Sequence, residues 1–164
     1  MITEKKLIEI LGTGNITCKE EILEEYSSDM SFVNKMKPEY VAKVKNTNDV
    51  EKLINLAKET LTPLVPISSG PPHFRGDTVP SIGGTIIADL SKMKKIIKVS
   101  RANRVALFEP GVTFDELISA VTKEGLRLNM PLQPRMSKSV IGSMLEREPV
   151  IMPKYHWDIG DPLA

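Results

Sequence analysis

The chain has 164 residues, 41% hydrophobic and 26% charged, with 22 Lys+Arg against 21 Asp+Glu for a net charge of +1. That balance suits one folded domain, or two small lobes sharing a core, and excludes global disorder; a chain of this length buries roughly 70% of its unfolded surface. The near-neutral charge and 5% aromatic content argue against nucleic acid as a partner, and no run approaches the roughly 18–20 apolar residues of a membrane span.

In chain order, residues 4–11 carry apolar side chains at Leu7, Ile8 and Leu11, a helical spacing that Gly12 and Gly14 end. Residues 19–26 read as a second short helix with an acidic exposed side, and residues 27–38 as a polar, irregular stretch closing at Pro38. Residues 40–45 form a strand candidate. Thr47 or Asn48 is placed to cap the helix over 49–60, where Val50, Leu53, Ile54 and Ala57 share one face. Residues 63–67 read as a buried strand, and strand, helix and strand in this compass make a βαβ unit with parallel strands. Residues 85–90, 95–99 and 104–109 are three strand candidates with short polar turns, which suggests an antiparallel meander. Thr113 and Glu116 form a capping box. The helix it opens presents Phe114, Leu117, Ile118 and Val121 on one face and ends at Gly125. A loop from Pro131 to Ser143 follows, and residues 144–164 show no clean period.

Chemistry concentrates in two loops. Ser68-Ser69-Gly70 directly follows a strand, and successive free N–H groups in such a turn can cradle phosphate oxygens. Pro71 and Pro72 work against this, since each lacks an N–H. In the second loop, Ser137, Ser139, Gly142 and Ser143 expose backbone donors, and Lys138 could offset phosphate charge. Taken alone, each loop is better explained by an ordinary polar turn. One cysteine, Cys18, excludes an internal disulfide and a thiolate metal cage, and His73 and His156 lack the spacing of a zinc enzyme, so no metal is expected. Cys18 has no adjacent His or Lys pair to activate it and reads as a structural or solvated thiol. Arg75-Gly76-Asp77 spells an adhesion tripeptide that short chance matches explain better. The opening residues show no signal peptide, and with the single cysteine this makes a cytoplasmic location the expectation.

Several motifs taken together are more specific. These are Lys37-Pro38-Glu39-Tyr40-Val41, Thr47-Asn48-Asp49-Val50, Val65-Pro66-Ile67-Ser68-Ser69-Gly70, Gly84 through Met93 (G-x-I-x-x-D-L-S-x-M), Glu109-Pro110-Gly111-Val112-Thr113 and Val140-Ile141-Gly142-Ser143. In this order the chain resembles the FAD-binding domain of the vanillyl-alcohol oxidase / p-cresol methylhydroxylase superfamily, in its glycolate oxidase and D-lactate dehydrogenase-like branch.

The resemblance implies an α+β fold: a two-lobed flavin-binding domain with a small parallel βαβ lobe, then a mainly antiparallel β-sheet lobe with flanking helices, incomplete at the C-terminus. Residues 1–36 would be a helical lead-in and residues 37–164 the FAD-binding domain, its first lobe about 37–80 and its second about 81–164. FAD would lie between two loops. Pro66, Ile67, Ser68, Ser69, Gly70, Pro71, Pro72 and His73 would wrap the pyrophosphate. Pro134, Ser137, Ser139, Val140, Gly142 and Ser143 would approach from the other side. The first loop departs from the family's R-G-G-G-T-S in losing two glycines and gaining two prolines. His73 sits about one position beyond the histidine that some members join covalently to flavin, which favours non-covalent FAD. The resemblance further implies oxidation of a 2-hydroxy acid or related small substrate by hydride transfer to flavin. That needs a substrate cap domain or separate subunit not found here, and an electron-acceptor protein is a possible further partner. No catalytic residue is assigned. Tyr155-His156-Trp157-Asp158 could pack on such a cap. The alternative is a non-catalytic structural or electron-transfer subunit of the same fold that pairs with a second polypeptide.

Overall fold

The computed structural model describes residues 2–131, 135–146, 150–151 and 157–158. The chain divides into two compact units, Met1–Lys92 and Met93–Ala164.

The first unit contains α1 (Glu4–Leu11), β1 (Ile16–Thr17), α2 (Glu20–Glu25), β2 (Tyr40–Lys43), α3 (Thr47–Thr60), β3 (Leu64–Ile67) and β4 (Ile86–Asp89). Its sheet runs β1-β2-β4-β3; β4 pairs parallel with both β2 and β3, and β1 is antiparallel to β2. The βαβ reading therefore holds, with one change: the strand at 86–89 does not open a meander but inserts between the two parallel strands. All four of its residues are buried, as a central parallel strand covered on both faces requires. Asp89 is accommodated because its Oδ1 accepts the Ser91 N–H at 2.9 Å. On one face Leu23, Val41, Ile67 and Ile87 form a core with Tyr26 against it. Leu7 and Leu11 of α1 and Leu53 and Ala57 of α3 are also buried. Ile54, expected on that face, is 50% exposed. The cap of α3 is Asn46, one position before the expected pair, and its side chain accepts the Asp49 N–H at 2.9 Å.

β3 is the outer strand. Leu90 donates to the Ile67 carbonyl and Ile86 to that of Pro63, so the odd-numbered peptides face β4 and Pro66 turns to the open edge, where its missing N–H costs no ladder bond.

The second unit begins with an antiparallel pair, β5 (Ile96–Ser100) and β6 (Val105–Phe108), with a register shift between Ile96 and Lys98. Helix α4 (Phe114–Lys123) opens on the expected capping box. Thr113 accepts from the Glu116 N–H, and Glu116 Oε2 accepts the Thr113 N–H at 2.9 Å. Phe114, Leu117, Val121, Val112 and Val140 form the core, with Ala106 and Phe108 packed on it. Gly125, at φ +69°, turns the chain out of α4. A further helix, α5 (Val140–Leu145), begins within the stretch expected to be loop and runs two residues past its end, and β7 (Val150–Ile151) pairs antiparallel with β8 (Trp157–Asp158). Tyr155 and His156 lie outside the described residues.

Candidate functional site

In the first unit the candidate loop leaves the carboxyl end of β3, where ligands dock in parallel α/β sheets. Pro66 and Ile67 belong to β3 itself, and the Ile67 side chain is core, so Ile67 could meet a ligand only through its backbone. Ser68, Ser69 and Gly70 form the turn. Ser69 is only 7% exposed, and neither it nor Ser68 donates a hydrogen bond to another described residue. A Cβ at Gly70 would meet no protein atom within 4 Å. Buried donors in native proteins find acceptors. The Ser68 and Ser69 donors, with open space beside Gly70, fit a phosphate-bearing group.

The loop then bends away through Pro71 and Pro72, whose connecting peptide is cis. These two prolines and His73 line a cavity of about 270 Å³ with Glu25, Tyr26, Asp29 and Met30. Two carboxylates on its wall make this cavity unsuited to the diphosphate, so the donor turn and the cavity are chemically distinct parts of one loop. Burial, with the charges of Asp89 and Glu25 nearby, pushes the Tyr26 phenol up to about 12. Asp29 goes the other way: burial opposes its charge, but hydrogen bonds from Ser31 and Gly76 and the adjacent His73 hold its carboxyl below the ordinary range.

Asp29 was not among the residues singled out from sequence. The signal was an Asp two residues before Ser31, the pattern of an Asx turn, in a stretch that offered no reason to expect contact with a loop more than 40 positions away.

The second loop lies in the second unit. Pro134 falls outside the described residues. Ser137 is exposed in a turn, while Ser139, Val140, Gly142 and Ser143 gather at the start of α5. Here the donors are engaged. Ser139 is fully buried; its Oγ donates to the Pro110 carbonyl at 2.7 Å and accepts the Gly142 N–H at 3.0 Å. Val140 N–H donates to Val112, Ser143 N–H to Ser139, and Phe114 N–H back to Lys138, zipping this loop onto the Glu109-Pro110-Gly111-Val112-Thr113 segment. Lys138 is ion-paired with Glu146 at 2.7 Å. In this structure these residues also build the helix start and its anchor.

Elsewhere the thiol of Cys18 is exposed and donates to Glu4 at 3.5 Å. Burial and that carboxylate raise its pKa, which disfavours a nucleophilic thiolate. Among the described residues no group of His, Cys, Asp or Glu is arranged to hold a metal ion, and no helix is long and apolar enough to cross a membrane.

The pattern of the FAD binding domain family matches residues 38–147. An uncharacterized FAD-linked oxidoreductase of Mycobacterium tuberculosis is 32% identical over 137 residues, which cover 83% of this chain and 29% of that protein. Glycolate oxidase subunit GlcD of Bacillus subtilis is 29% identical over 129 residues, 77% of this chain and 27% of that one. The crystal structure of p-cresol methylhydroxylase with substrate bound aligns with a TM-score of 0.76 at 26% identity, covering 88% of this chain and 29% of that chain. The chain thus spans under a third of the length of these relatives. With a parallel sheet and donor turn in one unit and an antiparallel pair with capped helices in the other, the chain belongs to the FAD binding domain family and is similar to the flavin-binding part of longer oxidoreductases.

Proposed function

We propose that the chain is the cofactor-holding part of an FAD-dependent oxidoreductase acting on a 2-hydroxy acid or related small substrate, active only when a substrate domain or subunit completes it. The observation that carries this reading is the turn at the carboxyl end of β3, where Ser69 is buried and neither Ser68 nor Ser69 donates a hydrogen bond to another described residue. In it the N–H and hydroxyl groups of Ser68 and Ser69 hold phosphate oxygens of FAD, and Gly70 leaves room for their approach. Once bound, FAD supplies the hydride acceptor; the protein supplies binding, orientation and shielding from water. The similarity to glycolate oxidase subunit GlcD supports the substrate class. That relative is itself a subunit, which supports a multi-subunit setting; a protein electron acceptor is part of the proposal. Non-covalent FAD is favoured because His73 stands about one position beyond the family's attachment point. A reducing, cytoplasmic setting fits the single exposed cysteine.

The test is direct. The chain is incubated with FAD, desalted, and its visible spectrum recorded. Retained flavin bands support the reading, and a colourless protein overturns it. Acid precipitation then separates the attachment modes: flavin in the supernatant is non-covalent, and flavin in the pellet contradicts that part of the proposal.

The second reading, a non-catalytic subunit of the same fold, is favoured by the engaged donors at α5. It predicts the colourless outcome together with an intact fold.

A further inference from the structure

Residues 27–36 precede the segment that matches the family, yet they are tied to the far half of the first loop. Asp29 holds two backbone amides at once: Oδ1 accepts the Ser31 N–H at 2.9 Å, and Oδ2 accepts the Gly76 N–H at 2.7 Å, 47 positions along the chain. Beside it the Met30 N–H donates to the His73 carbonyl at 2.9 Å. Gly76 adopts φ +76°, and a Cβ there would fall inside the Val33 side chain. The Gly76 backbone therefore lies against the Val33 and Ser31 side chains with no room for a Cβ, at a left-handed φ that itself favours glycine. The Asx turn at Ser31 fixes the short Asp side chain, so its second oxygen has one place to go.

We infer that Asp29 is a positioning residue for the cofactor loop: by pinning Gly76 it sets the path of residues 70–76, and so the aim of the Ser68-Ser69-Gly70 donors. This rests on the FAD reading above. The charged and titratable groups around Asp29 are His73 across the loop, Glu25 and Tyr26 at the end of α2, and Arg75 and Asp77 flanking Gly76. A carboxylate accepts a backbone N–H more strongly than a neutral acid does, so the pin slackens when Asp29 is protonated.

The test compares Asp29→Ala, Asp29→Asn and, as a control on the exposed side of α3, Glu51→Gln. Amide exchange at Gly76 is followed without FAD, and FAD affinity is measured by flavin fluorescence at about pH 7. Asp29→Ala speeds Gly76 exchange and weakens FAD binding about tenfold. Asp29→Asn, which keeps the shape but not the charge, falls between. Glu51→Gln matches the wild type. Unchanged exchange in both Asp29 variants overturns the pin. Faster exchange with wild-type FAD affinity overturns the positioning role. If Asp29→Ala does not fold, Asp29→Asn carries both measurements. A wild-type chain that takes up no FAD overturns the reading beneath the inference. That failure shows before any variant is made, and the exchange arm still decides whether Asp29 holds the loop.

Discussion

The Ser139 hydroxyl joins two segments 29 positions apart, donating to the Pro110 carbonyl at 2.7 Å while accepting the Gly142 N–H at 3.0 Å. It is fully buried, so its removal leaves a carbonyl and an amide without their partner. Ser139→Ala is expected to lower stability by about 1–3 kcal/mol. Equilibrium denaturant unfolding measures it. A change within about 0.5 kcal/mol would mean that water replaces the hydroxyl at no cost.

Gly70 invites the opposite experiment. A side chain there enters open space, and its φ is not left-handed, so Gly70→Ala and Gly70→Asp should both fold with stability changed by about 0.5 kcal/mol or less. Only Gly70→Asp places a negative charge beside the phosphate donors, and it should abolish FAD retention after desalting. Normal flavin content in Gly70→Asp would remove the diphosphate from this turn.

The capping box predicts both a magnitude and a pH dependence. Thr113→Ala removes the acceptor of the Glu116 N–H and should cost about 1 kcal/mol, read from thermal unfolding. Burial opposes the charge on Glu116, but hydrogen bonds from Thr113 and Lys94 hold its pKa below the ordinary value. A carboxyl depressed in the folded state stabilises above its unfolded pKa, and that contribution is lost as pH falls through the folded pKa. Acid titration of stability should therefore be shallower in Glu116→Gln than in the wild type. Identical acid limbs would show that the box holds equally well when protonated.

Tyr26 gives an alkaline signature. With its phenol pushed up to about 12, it stabilises fully below the ordinary value of 10.0, and this is lost as pH rises toward 12. Ultraviolet difference titration should show a late phase toward pH 12, and Tyr26→Phe should delete that late step. A titration of Tyr26→Phe identical to the wild type would place Tyr26 among the ordinary phenols.

The helices were legible because their signals are local. The capping box at Thr113 and Glu116 and the apolar spacing of Phe114, Leu117 and Val121 each need only a few consecutive residues. The place of β4 was not read, since a strand's neighbours are a long-range property. The clue was its unbroken run Ile86-Ile87-Ala88, which alternates with nothing polar and suits burial on both faces; the short turns after it suggested a meander instead. The cap of α3 was missed by one position because Asn46, Thr47 and Asn48 are all competent caps, and only the backbone decides among them. At the candidate site, the small-residue turn after β3 was visible as a pattern. That the similar-looking Gly142 and Ser143 give their N–H groups to Ser139 follows from a local serine cap on a helix in a stretch read as loop. Asp29 was invisible for a different reason: its partner Gly76 lies 47 positions along the chain.

Pro66 has a consequence for how this protein meets its own copies. An exposed outer strand normally offers a comb of donors on which a second chain can crystallise its own backbone, the first step toward sheet-to-sheet aggregation. Here the outward-turned position of β3 carries a ring instead of an N–H, so the comb lacks a tooth in the middle of a four-residue strand. Growth of this sheet across β3 is disfavoured by covalent structure, a handicap that salt and pH do not remove.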